Sequence, residues 1–100
     1  MSTDPLFHMV VADVFSIAKR GTVVTGKIDT GSLKVGDEVA IRGSGSEKKT
    51  VVSGIEAFRQ VLEQASQGDN VGLLLKDVSR QDVQRGDEIV APGSDFTWNP

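Results

Sequence analysis

The chain has no cysteine and no tyrosine, and its 100 residues include one histidine, His8. Without cysteine it forms neither disulfides nor thiolate metal sites, as is typical of proteins from a reducing compartment. One histidine is too few for a zinc centre, which usually has several nitrogen or sulfur ligands. With one histidine and no cysteine, few arrangements of catalytic side chains such as a Ser-His-Asp triad are available. We therefore expect a protein without a cofactor and without enzymatic activity.

Long apolar runs are also missing. No stretch approaches the ~20 residues that a membrane-spanning helix needs, and the N-terminus has no signal-peptide core. We therefore expect a cytoplasmic protein with no membrane contact. The net charge of −3 argues against DNA binding, which usually comes with a basic domain. Lys19, Arg20 and Lys27 do lie close together, which fits either a local RNA contact or an ordinary solvated loop.

Short runs rich in valine and isoleucine, separated by glycine, dominate the sequence. In residues 37–42, Val39 and Ile41 alternate with Glu38, Ala40 and Arg42, which is the period of a strand. Similar runs occupy residues 7–17, 22–28, 50–55, 71–76 and 88–90. Short strands with glycine-marked turns between them predict an all-β fold, either a sandwich or a barrel. The length of 100 residues fits one domain.

Two segments carry helical signals. In residues 56–67 the apolar residues recur at helical spacing, with a capping-box pattern before them and Gly68 in the position of a C-cap. Local signals alone therefore predict a helix there. A separate and shorter signal, Ser79 with Asp82, predicts one capped helical turn before the last strand.

Residues 21–27, Gly-Thr-Val-Val-Thr-Gly-Lys, match the opening of the phosphate-binding P-loop. We reject that interpretation because Ile28 stands where a magnesium-binding Ser or Thr is needed. The residues between the two glycines are all β-branched, which favours a strand, and no helix follows them. Carboxylate pairs at 37–38 and 87–88 each follow a glycine and are interpreted as solvated strand starts. None of these features indicates catalysis.

Several segments follow one another along the chain without large gaps. They are Asp-Val-Phe-Ser-Ile at 13–17, Arg-Gly-Thr-Val-Val-Thr-Gly at 20–26, Leu-Lys-Val-Gly-Asp-Glu-Val at 33–39, Gly-Ile-Glu-Ala-Phe-Arg at 54–59 and Gly-Asp-Asn-Val-Gly-Leu-Leu-Leu at 68–75. Together they resemble the second domain of the translational GTPases, in particular that of the elongation factor Tu type. The resemblance extends over residues 7–93, nearly the whole chain.

The resemblance implies a closed antiparallel, Greek-key-like β-barrel of about six strands. That domain would occupy residues 7–93, with a lead-in at 1–6 and a flexible tail at 94–100. It also implies that residues 56–67 are extended and turn twice, which overrides the local helical periodicity. The family's GTPase domain lies upstream of this one, and its nucleotide-binding motifs are absent here. We therefore expect no GTP hydrolysis by this chain.

In this family the domain contributes to the pocket for the 3′ adenosine and amino acid of aminoacyl-tRNA, and it contacts the small ribosomal subunit. The resemblance implies that Glu56 accepts a hydrogen bond from a ribose hydroxyl, the group that distinguishes RNA from DNA. It further implies an apolar slot for a base, contacts near the aminoacyl group and contacts near phosphate. The apolar slot is assigned to Ile17, Val23 and Leu74. The contacts near the aminoacyl group are assigned to Arg59 and Asn70, and those near phosphate to Lys19 and Arg20.

Each of these residues also has a structural interpretation. The three apolar residues could be plain core, Asn70 could be a turn residue, and Glu56 could be a buried carboxylate paired with Arg59. The leading hypothesis is a non-catalytic RNA-binding module for an aminoacyl-tRNA end or ribosomal RNA. The alternative is a protein-interaction or structural module that docks on a separate GTPase or another protein partner.

Overall fold

The computed structural model describes residues 6–17, 21–43, 46–57 and 59–91. Within them the chain forms ten strands and one short 3₁₀ helix. The strands are His8–Val10 (β1), Asp13–Ile17 (β2), Gly21–Thr30 (β3), Ser32–Lys34 (β4), Glu38–Gly43 (β5), Ser46–Ala57 (β6), Gln60–Leu62 (β7), Gln64–Ser66 (β8), Asn70–Leu75 (β9) and Glu88–Val90 (β10). The part of the chain described contains no helix long and apolar enough to cross a membrane.

Six strands form a closed ring in the order β1, β10, β5, β6, β9, β3 and back to β1. Every neighbouring pair is antiparallel. The connections from β3 to β5 and from β9 to β10 join strands that are not neighbours, which gives the ring its Greek-key character. Closure leaves the ring without an unpaired edge. The expected closed antiparallel barrel is therefore confirmed, while the domain boundaries stay predictions.

Two long strands carry extra partners outside the ring. One edge of β3 pairs first with β2 and then with β1, while its other edge pairs with β9. In the same way, one edge of β6 pairs with β5 and then with β7, and its other edge pairs with β9. A separate ribbon of β4 and β8 adds Leu33 and Ala65 to the core. The sheet is therefore widest around β3, β9 and β6.

The core follows from alternation along β3, β6 and β9, while β5 and β10 bury consecutive residues. Inward side chains such as Met9, Val24, Ile55, Leu73 and Ile89 are fully buried. Two buried hydroxyls hold the segment after β9 against the barrel. The hydroxyl of Thr22 donates to the carbonyl of Val78, and that of Thr50 donates to the carbonyl of Lys76, both at 2.6 Å.

Residues 56–57 and 59–67 lie in strands and turns, as the family resemblance implied, and the locally predicted helix is wrong. They run from the end of β6 through β7 and β8, with Ile55 opposite Leu62 and Glu56 opposite Val61. Val61 is 80% exposed, a position that an amphipathic helix would have buried. Strand pairing with β9 on the other side of β6 outweighs the helical spacing.

The capped turn before the last strand is confirmed as the 3₁₀ helix Arg80–Asp82. The carboxylate of Asp82 accepts from the backbone N–H of Ser79 at 2.9 Å, and the Ser79 hydroxyl accepts from the N–H of Gln81. The backbone hydrogen bond from Ser79 lowers the pKa of Asp82 below its ordinary value. The exposed carboxylate is therefore held in its charged form.

Residues 21–27 lie within β3, so the P-loop interpretation is rejected by the fold as well. Gly26 has a packing role instead. A β-carbon at Gly26 would collide with the backbone oxygen of Val10 and would lie 3.2 Å from Cγ of Met9. The absence of a side chain thus allows β1 to cross β3 closely.

We expect Gly26→Ala to lower the free energy of unfolding by about 1–3 kcal/mol, because the added methyl group must displace backbone. Gly54→Ala is the matched control. Its β-carbon would sit 3.5 Å from Cβ of Leu74, which is ordinary contact, so its effect should stay within about 0.5 kcal/mol. Urea unfolding of both variants measures the difference. Equal stabilities would contradict the close approach of β1.

Candidate nucleic-acid interface

The outward face of β2, β3, β9 and β6 carries a row of residues in register. Phe15 lies opposite Val23, Val23 opposite Leu74, and Leu74 opposite Gly54. Their chain neighbours on β3 and β9 point inward and are buried. Val23 and Leu74 are therefore half-buried on the outer face, and the interpretation of these two as plain core is wrong.

Ile17 belongs to the same outer face but lies at its margin. It is opposite Gly21 at the end of β2 and is 37% exposed, so it is not a core residue either. Phe15, two residues earlier, is 51% exposed and lies directly beside Val23. Sequence reasoning did not single out Phe15 as a residue of this face. Its period-2 relation to Ile17 within β2 is the signal that could have found it.

A second row, parallel to the first, contains the polar groups. Thr25 lies opposite Gly72, Gly72 opposite Glu56, and Glu56 opposite Val61. Glu56 alternates with buried Ile55, so its carboxylate is on the exposed face. The alternative interpretation of Glu56 as a buried carboxylate is therefore wrong. Burial of its neighbour fixes Glu56 outward, because successive strand residues face opposite sides.

Four of the residues implied by the family resemblance line one open groove. Val23, Glu56, Arg59 and Asn70 surround a volume of about 430 Å³. The remaining lining residues come from β3, β6 and β9, and they are Thr25, Gly26, Ala57, Val71 and Gly72. Leu74 adjoins the groove through its partner Val23.

Gly72 opens the groove between the two rows. A β-carbon at Gly72 would lie 3.3 Å from Cγ1 of Val23 and 3.9 Å from the carbonyl oxygen of Glu56. Any side chain there would fill the space between the apolar wall and the carboxylate. The glycine thus leaves room for a flat group beside Val23 while keeping Glu56 within reach.

Asn70 and Arg59 stand at the end of the groove away from Leu74. Asn70 begins β9, opposite Lys27, and is exposed, so it is a strand residue and the turn interpretation is wrong. Arg59 lies in the tight turn between β6 and β7, where Ala57 pairs with Gln60. Its φ of +69° is in the left-handed region, which is unfavourable for a residue with a β-carbon.

The groove combines an acceptor, donors and an apolar wall. The Glu56 carboxylate accepts hydrogen bonds, the Asn70 amide donates and accepts, and the Arg59 guanidinium donates. This set suits a ligand with hydroxyl groups and a flat apolar part. Lys19 and Arg20, the implied phosphate contacts, lie outside the described residues.

We expect Arg59→Gly to raise the free energy of unfolding by about 0.5–1 kcal/mol, because glycine adopts a positive φ without strain. Gln60→Gly, one residue later in β7, should instead lower it by a similar amount through added chain entropy. Thermal unfolding of the two variants measures the contrast. If both glycines destabilise equally, Arg59 carries no backbone strain.

The family model of elongation factor Tu domain 2 matches residues 21–90. The matched region begins with β3 and ends with β10, so it contains every ring strand except β1. It includes Val23, Glu56, Arg59, Asn70 and Leu74, while Phe15 and Ile17 precede it. A β-barrel of this topology, matched over most of its length, identifies the chain as a member of the elongation factor Tu domain 2 family.

Proposed function

We propose that this translation-factor barrel is a non-catalytic RNA-binding module that takes the 3′ end of aminoacyl-tRNA, or else ribosomal RNA. The observation that carries the proposal is the groove on the outer face of β3, β6 and β9. It unites Val23 of β3, Glu56 of β6, Arg59 of the turn after β6, and Asn70 of β9. The cytoplasmic location expected from the sequence belongs to the same proposal.

A terminal nucleotide matches the two rows of the outer face. A base would lie along Val23 and Leu74, with Phe15 at the far side of Val23 offering an aromatic surface. Stacking on an aromatic residue contributes about 1–3 kcal/mol per base, and aliphatic walls contribute less. The ribose would then be near Glu56, whose carboxylate accepts from a 2′-hydroxyl.

The aminoacyl group attached to the ribose would lie at the other end of the groove. Arg59 and Asn70 offer donors to an ester carbonyl or an amino-acid backbone. A GTPase acting with this barrel would supply any hydrolysis.

Binding by the barrel alone should be weak. Linked binding modules gain a factor of about 10²–10⁴ from acting together. A separate GTPase domain or partner that holds the same RNA would provide that gain. We therefore expect affinities of the isolated barrel to be measurable at low salt and to fall as salt screens the exposed charges.

We expect Glu56→Gln to weaken binding of an aminoacylated CCA-end minihelix by about 10- to 100-fold, since a hydrogen bond to a charged group contributes about 1.5–3 kcal/mol. Glu63→Gln is the matched control, because Glu63 is exposed at the bend between β7 and β8. An amide NMR titration measures both, with the DNA equivalent as a second control. Shifts should cluster at Val23, Glu56, Arg59, Asn70 and Leu74 with RNA only.

Two outcomes would overturn the proposal. One is the absence of shifts with tRNA and ribosomal RNA fragments at low salt. The other is equal shifts with DNA, confined to lysines and arginines. A protein partner that binds regardless of nuclease and of Glu56→Ala would then favour the docking module considered as the alternative.

A further inference from the structure

A cleft of about 390 Å³ lies between β4, the start of β5 and the two ends of the described chain. It shares no lining residue with the groove on β3, β6 and β9. Leu6 belongs to its wall and is 52% exposed, so the cleft leaves apolar surface uncovered. The other lining residues are apolar Phe7, Leu33, Val39 and Ala91 and polar Ser32, Asp37 and Glu38.

One side of the cleft is the free edge of β4. Among the described strands, only β8 pairs with β4. The carbonyl of Gly31 accepts from the N–H of Gln67, and the N–H of Val35 donates to the carbonyl of Glu63, so both face β8. Backbone groups alternate between the two edges of an antiparallel strand, so the N–H and C=O of Ser32 face away from β8. These are groups with which an added strand can pair.

The free edge of β4 is short, because the next position that faces the same way is already engaged. The N–H of Lys34 donates to Oδ2 of Asp37 at 2.9 Å, and its carbonyl accepts from the N–H of Asp37 at 3.0 Å. The available edge is therefore centred on Ser32. It suits an extended segment of only a few residues.

The chain itself supplies such a segment directly beside the cleft. Ala91 lines the cleft, and its N–H donates to the carbonyl of Phe7 at 3.2 Å. Residues 92–100, which follow, lie outside the described residues. Their sequence begins with Pro-Gly, a pair typical of turns, and continues Ser-Asp-Phe-Thr-Trp. Phe96 and Trp98 are two positions apart, so they would face the same side of an extended segment.

We propose that residues 94–98 dock in this cleft as a short strand on the free edge of β4. Phe96 and Trp98 then cover Leu6 and the apolar wall beside it. Aromatic side chains bury about 150–250 Å² each, and a buried indole N–H usually has an acceptor. The carboxylate of Glu38 at the rim of the cleft provides that acceptor. The flexible tail expected from the sequence is the competing prediction.

The short connection favours the chain's own segment over a separate occupant. Each extended residue spans about 3.3–3.6 Å, so Phe96 can be no more than about 18 Å from Ala91. A segment on so short a tether is present at an effective concentration in the millimolar range. A separate protein would have to bind more tightly than that to displace it.

Fluorescence of Trp98 tests the proposal, because the chain has one tryptophan and no tyrosine. In the full-length chain we expect emission at shorter wavelength than in the urea-unfolded chain, and weaker quenching by acrylamide. Leu6→Ser and Phe96→Ser should each shift the emission to the unfolded value while the far-UV circular dichroism stays that of the folded barrel. Val61→Ser is the matched control and should leave the emission unchanged, because Val61 is 80% exposed and lines no part of the cleft.

Amide exchange of Ser32 gives a second readout, which reports on the edge of β4 itself. The Ser32 amide should be protected in the wild-type chain and should lose that protection in Trp98→Ser. The Gln67 amide, which bonds to Gly31 across β4 and β8, should stay protected in both.

Three results would overturn the proposal. Emission of Trp98 at the unfolded value in the wild-type chain would leave the cleft open to a separate partner. An emission shift that Leu6→Ser does not reverse would place Trp98 elsewhere on the barrel. A shift that disappears on dilution would show that the segment of a second copy fills the cleft.

Discussion

Closure of the ring by β1 is the constraint on which the other features of this barrel depend. Once β1 pairs with both β3 and β10, every ring strand has a defined inner and outer face. Burial of Val24, Ile55 and Leu73 then fixes Val23, Glu56 and Leu74 on the outside. Core and candidate site are thus alternate residues of the same strands, since a shift of one residue would exchange them.

The second determinant is the length of β3 and β6. Each strand extends beyond its ring partner and takes up a further one, so the outer face broadens where β2 and β7 are added. Gly72 keeps that broad face open between Val23 in the apolar row and Glu56. A smaller barrel with the same core would lack the surface on which the groove is formed.

Local sequence patterns predicted much of the fold, and the one wrong prediction has an identifiable physical reason. The strands and the Ser79–Asp82 turn follow from alternation and capping, which are local. The helical spacing in residues 56–67 led to a wrong prediction, because the pairing of β6 with β9 that determines the structure there is non-local. Leu73, Leu74 and Leu75 are chemically alike, so the sequence alone could not say which of them face outward. The pairing of β9 with β3 and β6 determines that Leu74 faces outward.

Only part of the candidate site could be predicted from the sequence. The family resemblance supplied Val23, Glu56, Arg59 and Asn70, and the fold brings those four to one groove. The alternative of a buried Glu56 fails because its apolar neighbours in the strand belong to the opposite face. Phe15 was not singled out because its place beside Val23 is defined only by the pairing of β2 and β3.

The most direct test is a set of intermolecular NOEs between methyl-labelled protein and an aminoacylated CCA-end minihelix. The account predicts contacts from the methyl groups of Val23 and Leu74 to the base protons of the terminal nucleotide. It predicts none from the methyl groups of Ile89, which lies in the core. NOEs confined to any other face of the barrel, with none from Val23 or Leu74, would contradict the account.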